Sequence, residues 1–195
     1  IEKVDGGVKI TIGPKYQTKH QDHPAREGIM LRIAAGSAQV WPAFTLDLTQ
    51  DLCFEQEHRY QLWGANGSGK SSFLQKILLP QLQNAEGSYI VYLQQQMHLQ
   101  LYALKAHAAF HAPGRRITDA HDAAEYLLDD LSKTYPSRPK DIFIIADESP
   151  ALELLLRFPL PHCLILIDHQ QKIPEARRVI FEAQNPTLTQ VYRDA

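Results

Sequence analysis

Gly64-Ala65-Asn66-Gly67-Ser68-Gly69-Lys70-Ser71-Ser72 is the stretch from which the fold of this chain is read. It fits G-x-x-x-x-G-K-[ST], a loop whose backbone N–H groups curl inward around a polyphosphate. Glycines suit the loop because a Cβ at its turns would clash or hold the phosphates off. Lys70 is placed to reach the β- and γ-phosphates, and the Ser71 hydroxyl to hold Mg²⁺. Before the loop, Arg59-Tyr60-Gln61-Leu62-Trp63 reads as a buried strand. After it, residues 71–79 carry apolar side chains at helical spacing, with Pro80 as the expected stop. Strand, glycine loop and helix in that order aim a helix N-terminus at the anion.

A chain of 195 residues suits one large domain, or one domain with a small appendage. The net charge of −2 and the lack of a long basic stretch give no indication of nucleic acid as a partner. Cys53 and Cys163 both lie in apolar runs, which suggests buried reduced thiols and a cytoplasmic setting. The most apolar segment, residues 152–167, is interrupted by Glu153, Arg157, Pro159, Pro161 and His162, so no transmembrane helix is expected. No signal-peptide pattern opens the sequence, and Ile1 in place of Met points to a trimmed or processed chain.

Outward from the loop, strands and helices alternate. Residues 8–12 read as a strand, 15–28 as a polar loop, and 29–35, 44–48 and 52–54 as further strands. Residues 88–93, 142–146, 163–167 and 188–192 read as strands. Helices are expected at 99–110, 119–133, 151–158 and 174–183. The helix at 119–133 is the best marked, with Thr118 or Asp119 as cap and Ala123, Tyr126, Leu127 and Leu131 as its stripe. All-apolar strands alternating with helices imply an α/β fold with a parallel sheet covered on both faces.

Three strand ends carry the remaining candidates. Asp147-Glu148 follows Ile142-Phe143-Ile144-Ile145-Ala146, at the carboxyl end of a buried strand, where open α/β sheets bind ligands. Asp147 suits Mg²⁺ and Glu148 suits a general base; capping the next helix is the plainer role for such a pair. Gln94 follows Ile90-Val91-Tyr92-Leu93, and His169 follows Leu164-Ile165-Leu166-Ile167-Asp168.

With that ordered set the chain resembles the ATP-binding-cassette (ABC) ATPases, over residues 29–195, with 1–28 as an added hairpin and loop. The resemblance implies a P-loop NTPase with a mainly parallel sheet flanked by helices. The spacings between the motifs are short, which implies a reduced antiparallel β-subdomain and a trimmed helical subdomain. It further implies that Gly64, Asn66, Gly67, Ser68, Gly69, Lys70, Ser71 and Ser72 bind ATP. Trp41 would stack on adenine, with Phe44 as the alternative. By the same resemblance Ser71, Gln94 and Asp147 hold Mg²⁺, Glu148 activates water, and His169, Gln94 and Lys70 support the transfer. Dimerisation and an unidentified protein partner, membrane-bound or soluble, are implied as well.

The chain also departs from that family. The signature Leu-Ser-Gly-Gly-Gln is absent; Thr118 stands where its serine would be, and Asp119 would put a carboxylate beside the γ-phosphate. Three functions are therefore in play: an ATPase driving a partner, a nucleotide switch or scaffold with little hydrolysis, and a P-loop kinase with Arg115-Arg116 as a lid. Glu148 and His169 count against the kinase. Arg115-Arg116 reads more simply as a solvated pair before a helix cap, and His107/His111 and His20/His23 as exposed histidines rather than metal ligands. The tyrosines at 16, 89, 92, 102 and 126 lack the basic interleaving of a nucleic-acid face.

Overall fold

The computed structural model describes residues 28–85, 87–94, 97–134, 141–148, 151–168 and 172–194. The strand expected at 8–12 and the polar loop that follows it lie outside these residues. Strands β1 (Ile29–Ile33), β2 (Gly36–Trp41), β3 (Phe44–Leu48), β4 (Leu52–Glu55) and β5 (Arg59–Gly64) lead into the glycine loop. A continuous helical segment follows: α1 (Lys70–Phe73), a widened π-type turn (Leu74–Leu78) and α2 (Leu79–Asn84). Then come β6 (Tyr89–Leu93), α3 (Met97–His111), α4 (Ala120–Thr134), β7 (Ile142–Asp147), α5 (Leu152–Leu156), β8 (Cys163–Ile167), β9 (Arg177–Asn185) and β10 (Leu188–Arg193).

Eight of these strands form one sheet in the order β2-β3-β10-β9-β5-β8-β7-β6, parallel except at β2–β3 and β9–β10. β1 and β4 pair antiparallel as a separate two-stranded sheet. The fold is therefore α/β, with a mixed, mostly parallel central sheet flanked by helices.

Strand periodicity explains the two covered faces. Along β7, Phe143 and Ile145 enter one core while Ile142, Ile144 and Ala146 enter the other; β8 divides Cys163, Ile165 and Ile167 from Leu164 and Leu166 in the same way. The first core is closed by Phe73, Leu74, Leu78 and Leu82 of the post-loop helix, and by Ile33, Leu52 and Phe54 of the small sheet. The second is closed by Ala108 of α3, by Ala123, Tyr126, Leu128 and Leu131 of α4, and by Leu155 of α5. Each fully buried aliphatic side chain contributes roughly 1.5–3 kcal/mol.

Three local expectations are corrected. Residues 174–183 were expected to be helical, because Glu175-Ala176-Arg177-Arg178 favours it. The chain instead turns at Pro174 and Glu175, where Glu175 has φ 60, and runs on as β9. Val179 and Phe181 alternate into the core between β5 and β10, so tertiary pairing overrides helix propensity. Pro80 does not stop its helix. The Leu79 N–H reaches back to the Leu74 carbonyl, one residue further than in an α-helix. That widened turn shifts the carbonyls a proline ring would strike, and Pro80 begins a fresh α-helical turn. The strand expected at 29–35 ends at Ile33, and Gly36 opens a separate strand, β2, which pairs with β3 from Gly36↔Leu48 to Trp41↔Phe44.

Leu78 and Phe110 separate core from surface in one experiment. Leu78 is fully buried beneath the sheet, whereas Phe110 on α3 is 85 % exposed. Leu78→Ala is expected to destabilise the protein by about 2–5 kcal/mol, and Phe110→Ser to change stability by less than about 0.5 kcal/mol, in urea unfolding.

Candidate functional site

The parallel registers set the site's framework. Leu62 of β5 is opposite Ile167 of β8, and Ile167 is opposite Asp147 of β7; Leu93 of β6 is opposite Ala146. The glycine loop, the Asp168 turn, Glu148 and Gln94 therefore all leave the sheet at one edge, the carboxyl ends of the strands. β8 lies between β5 and β7, so the loop strand and the carboxylate strand stand roughly 10 Å apart.

Two glycines of the loop are dictated by close approach. A Cβ on Gly64 would come within 2.5 Å of the Phe181 carbonyl oxygen, and one on Gly69, at φ +97, within 2.9 Å of Leu46 and Phe44. Ala65, Asn66 and Gly67 are exposed at the tip. Ser68 is buried, and its Oγ has no hydrogen-bond partner among the described residues. Ser71 is exposed and Ser72 half-buried on the first helical turn. Lys70 is only 7 % exposed, and its amine donates to the carbonyls of Gly64 at 2.8 Å and Ala65 at 2.9 Å.

Charge concentrates around that amine. Burial lowers the Lys70 pKa, opposed by the nearby charges of Glu148 and Asp147. Asp147 is 8 % exposed, and its carboxyl is pushed up to about 6 by burial and by Glu148, with Lys70 pulling the other way. Neighbouring Tyr92 is raised to about 12 by burial and by Asp147. Glu148 takes φ 47, a left-handed conformation that a side chain other than glycine rarely adopts, while its N–H donates to the Ile167 carbonyl at 2.9 Å. Gln94 is half-buried, and its N–H donates to Gln100 Oε1 at 3.0 Å. His169 lies outside the described residues; the residue before it, Asp168, follows the last residue of β8, Ile167.

Trp41 and Phe44 lie in different surroundings. Phe44 packs beneath Gly69. Trp41 is 48 % exposed beside the post-loop helix, where its Nε1 donates to Ser72 Oγ at 3.1 Å and Lys76 lies 4.4 Å from its ring.

The other charged candidates are tied up in α3 and α4. Arg115 pairs with Glu125 and Asp129, each at 3.1 Å, while Arg116 is exposed. His107 Nδ1 and the Tyr126 hydroxyl share a hydrogen bond at 2.6 Å, and the His107 and His111 rings stack at 4.2 Å. Thr118 donates from both its N–H and its hydroxyl to Asp122 Oδ2, and Asp119 Oδ1 accepts the Asp122 N–H at 2.9 Å. Both residues thus cap α4. Among the described residues no group of three or more His, Cys, Asp or Glu side chains is gathered around one point.

No protein-family model matches the chain, and no curated protein matches it.

Two positions escaped the sequence reading. Gln100 accepts from Gln94 N–H and donates to the Tyr92 carbonyl at 2.7 Å, fastening the end of β6; in sequence it is one glutamine of a helix. Gln61 is a fully buried amide in the strand that launches the glycine loop, signalled only by its polarity between Tyr60 and Leu62.

Asp147 gives a stability prediction. A carboxyl whose folded pKa is raised holds its proton more tightly when folded, so stability falls as pH rises from about 4, the unfolded value, to about 6. Asparagine neither titrates nor carries the buried charge. Asp147→Asn is expected to be more stable than the parent by about 1–3 kcal/mol above pH 6, with the difference vanishing toward pH 4. Thermal melts across that range measure it.

Proposed function

We propose that this chain is a compact, Mg²⁺-dependent ATPase of ABC type that moves a partner by hydrolysis. The observation that carries the reading is Lys70: a buried ammonium at the root of a glycine loop, facing Asp147 and Glu148 across the carboxyl edge of a parallel sheet. A lysine, a backbone cradle and a carboxylate pair on separate strands make a site for a polyphosphate with a hard cation.

The donor set fits Mg²⁺. Ser71, Gln94 and Asp147 offer oxygen ligands, the donor type that a hard cation takes. When bound, Mg²⁺ supplies charge neutralisation at the β- and γ-phosphates. Lys70 adds a second positive charge, and the backbone of residues 64–72 orients the chain of phosphates. Glu148, turned out of the strand by its left-handed backbone, accepts a proton from the attacking water. Gln94 and His169 are assigned to the water and the transferring group. Trp41, exposed while Phe44 supports the loop, is the stacking aromatic for adenine. No helix of the described residues is long and apolar enough to cross a membrane.

A second reading, a nucleotide switch with little turnover, is favoured by one observation. Thr118 and Asp119, the residues standing at the missing signature, are engaged in capping α4.

Phosphate release and equilibrium binding separate the two. Lys70→Ala is expected to weaken Mg-ATP binding at least about tenfold. Glu148→Gln should bind ATP within about threefold of the parent while losing about 10²–10⁴ in kcat. Equal turnover by Glu148→Gln and the parent removes the base assignment. Parent turnover no higher than that of Lys70→Ala leaves the switch. Trp41→Ala is expected to cost about 1–3 kcal/mol in ATP binding and nothing in binding of inorganic triphosphate, measured by calorimetry.

A further inference from the structure

Two local irregularities meet at Trp41. Between Gln39↔Thr45 and Trp41↔Phe44, β2 gains one residue on β3, a bulge of the kind that re-aims a side chain. Facing the indole, Lys76 sits in the middle of the widened turn Leu74–Leu78 of the post-loop helix. Bulges and widened turns both concentrate where side chains are directed to a site.

The indole is held from that helix by two different contacts. Its Nε1 donates to Ser72 Oγ at 3.1 Å, and the Lys76 ammonium lies over the ring, 4.4 Å from its centre. Ser72 and Lys76 are four residues apart, on one side of the helix. The hydrogen bond fixes the edge of the ring, and the ammonium fixes one of its faces. Trp41 ends the edge strand β2 and is 48 % exposed, so a large part of the ring is left without packing.

The two contacts decide what the ring can do. An indole has two faces; the ammonium covers one and leaves the other for a flat aromatic partner. Ser72 Oγ accepts the indole N–H and keeps its own hydrogen to donate. Both holding residues belong to the helical segment that begins at Lys70, so the ring is fixed relative to the glycine loop.

We infer that Lys76 is a positioning residue that sets affinity for the nucleobase: with Ser72 it clamps Trp41, and the stack is ammonium, indole, base. The inference rests on the ATPase reading for the base, while the clamp itself rests on the two contacts. Lys76 acts through Trp41 and touches neither the base nor the phosphates. A ring held in advance needs less ordering when the base arrives, so the effect falls on binding of the nucleoside part and not on turnover.

The full chain is tested with Lys76→Met, which keeps the length and removes the charge, and with Lys76→Arg, which keeps the charge. Lys76 is only half-buried, so both variants are expected to fold. Calorimetry measures binding of Mg-ATP and of inorganic triphosphate with Mg²⁺, in the parent and in Trp41→Ala. Lys76→Met is expected to weaken ATP binding about 2- to 5-fold, with triphosphate binding and kcat at saturating ATP unchanged within about 1.5-fold. Lys76→Arg should bind ATP as the parent does. In the Trp41→Ala background Lys76→Met should weaken ATP binding by less than about 1.5-fold more, because the lysine acts through the ring. Without any ligand, the indole N–H resonance of Trp41, identified as the one missing in Trp41→Phe, should exchange with deuterium faster in Lys76→Met and in Ser72→Ala than in the parent. ATP binding unchanged by Lys76→Met, equal weakening of ATP and triphosphate, or the same weakening in the Trp41→Ala background overturns the inference. Should the parent bind neither ATP nor triphosphate, the ATPase reading fails and the indole N–H decides the clamp alone. Faster exchange in both variants sustains it, and exchange at the parent's rate in either overturns it.

Discussion

Double-sided burial of β7 and β8 is the constraint from which the site follows. Both strands are buried at every position, so neither can slip by one residue without sending a whole row of side chains into the wrong core. That locks Leu62, Ile167 and Asp147 side by side. The glycine loop, the acidic pair and the Asp168 turn then leave the sheet together, whatever the intervening helices do. Lys70 turns its amine back onto the carbonyls of Gly64 and Ala65, within the influence of the carboxylate charges, in a loop that Gly64 and Gly69 allow to pack closely against Phe181, Leu46 and Phe44.

The electrostatic cost of the arrangement is concentrated at the same edge. Lys70 is lowered by desolvation against the opposing charges of Glu148 and Asp147; Asp147 is desolvated and pushed toward its neutral form, more by Glu148 than Lys70 pulls it back. Glu148 adds a left-handed backbone that a glycine would adopt without strain. A fold selected for stability alone would place an amide at 147 and a glycine at 148. Groups that burden the protein without a ligand, on strands that are otherwise wholly apolar, are the form a binding edge takes when charge is to be met by opposite charge.

Strong local patterns were legible in the sequence. The runs at 142–146 and 163–167 are too uniformly apolar for anything but doubly covered strands, and the glycine loop declares its own neighbours. What escaped is whatever depends on partners distant in the chain. The four residues 175–178 that lead into β9 favour a helix, and the segment is a strand because β5 and β10 flank it. Pro80 reads as a stop until the widened turn before it is known. β2 is short, largely exposed and begun by a glycine, so its pairing with β3 left little trace in composition. In the site, Lys70, Asp147, Glu148 and Gln94 were named from spacing. The different surroundings of Trp41 and Phe44 appear only in the packing around Gly69, and Gln61 needed its contacts on the far side of β5.

The amino end of α4 is where this edge meets its limit. A second body closing over a γ-phosphate needs free donors, and Thr118 has already committed its hydroxyl and N–H to Asp122. Asp119 presents an oxygen to the Asp122 N–H, and its charge would repel a phosphate. Arg115, one of the two cations before the cap, is held by Glu125 and Asp129 and lies over Tyr126. Freeing Thr118 means undoing a cap worth about 1 kcal/mol, and freeing Arg115 means breaking two ion pairs on the same helix. Neither cost is prohibitive, but both fall on α4 and would loosen its packing against α3 and α5. Closure from that side is therefore coupled to movement of the helical layer. The sheet edge holding Lys70, Asp147 and Glu148 is braced by its own strand pairing and has no such freedom.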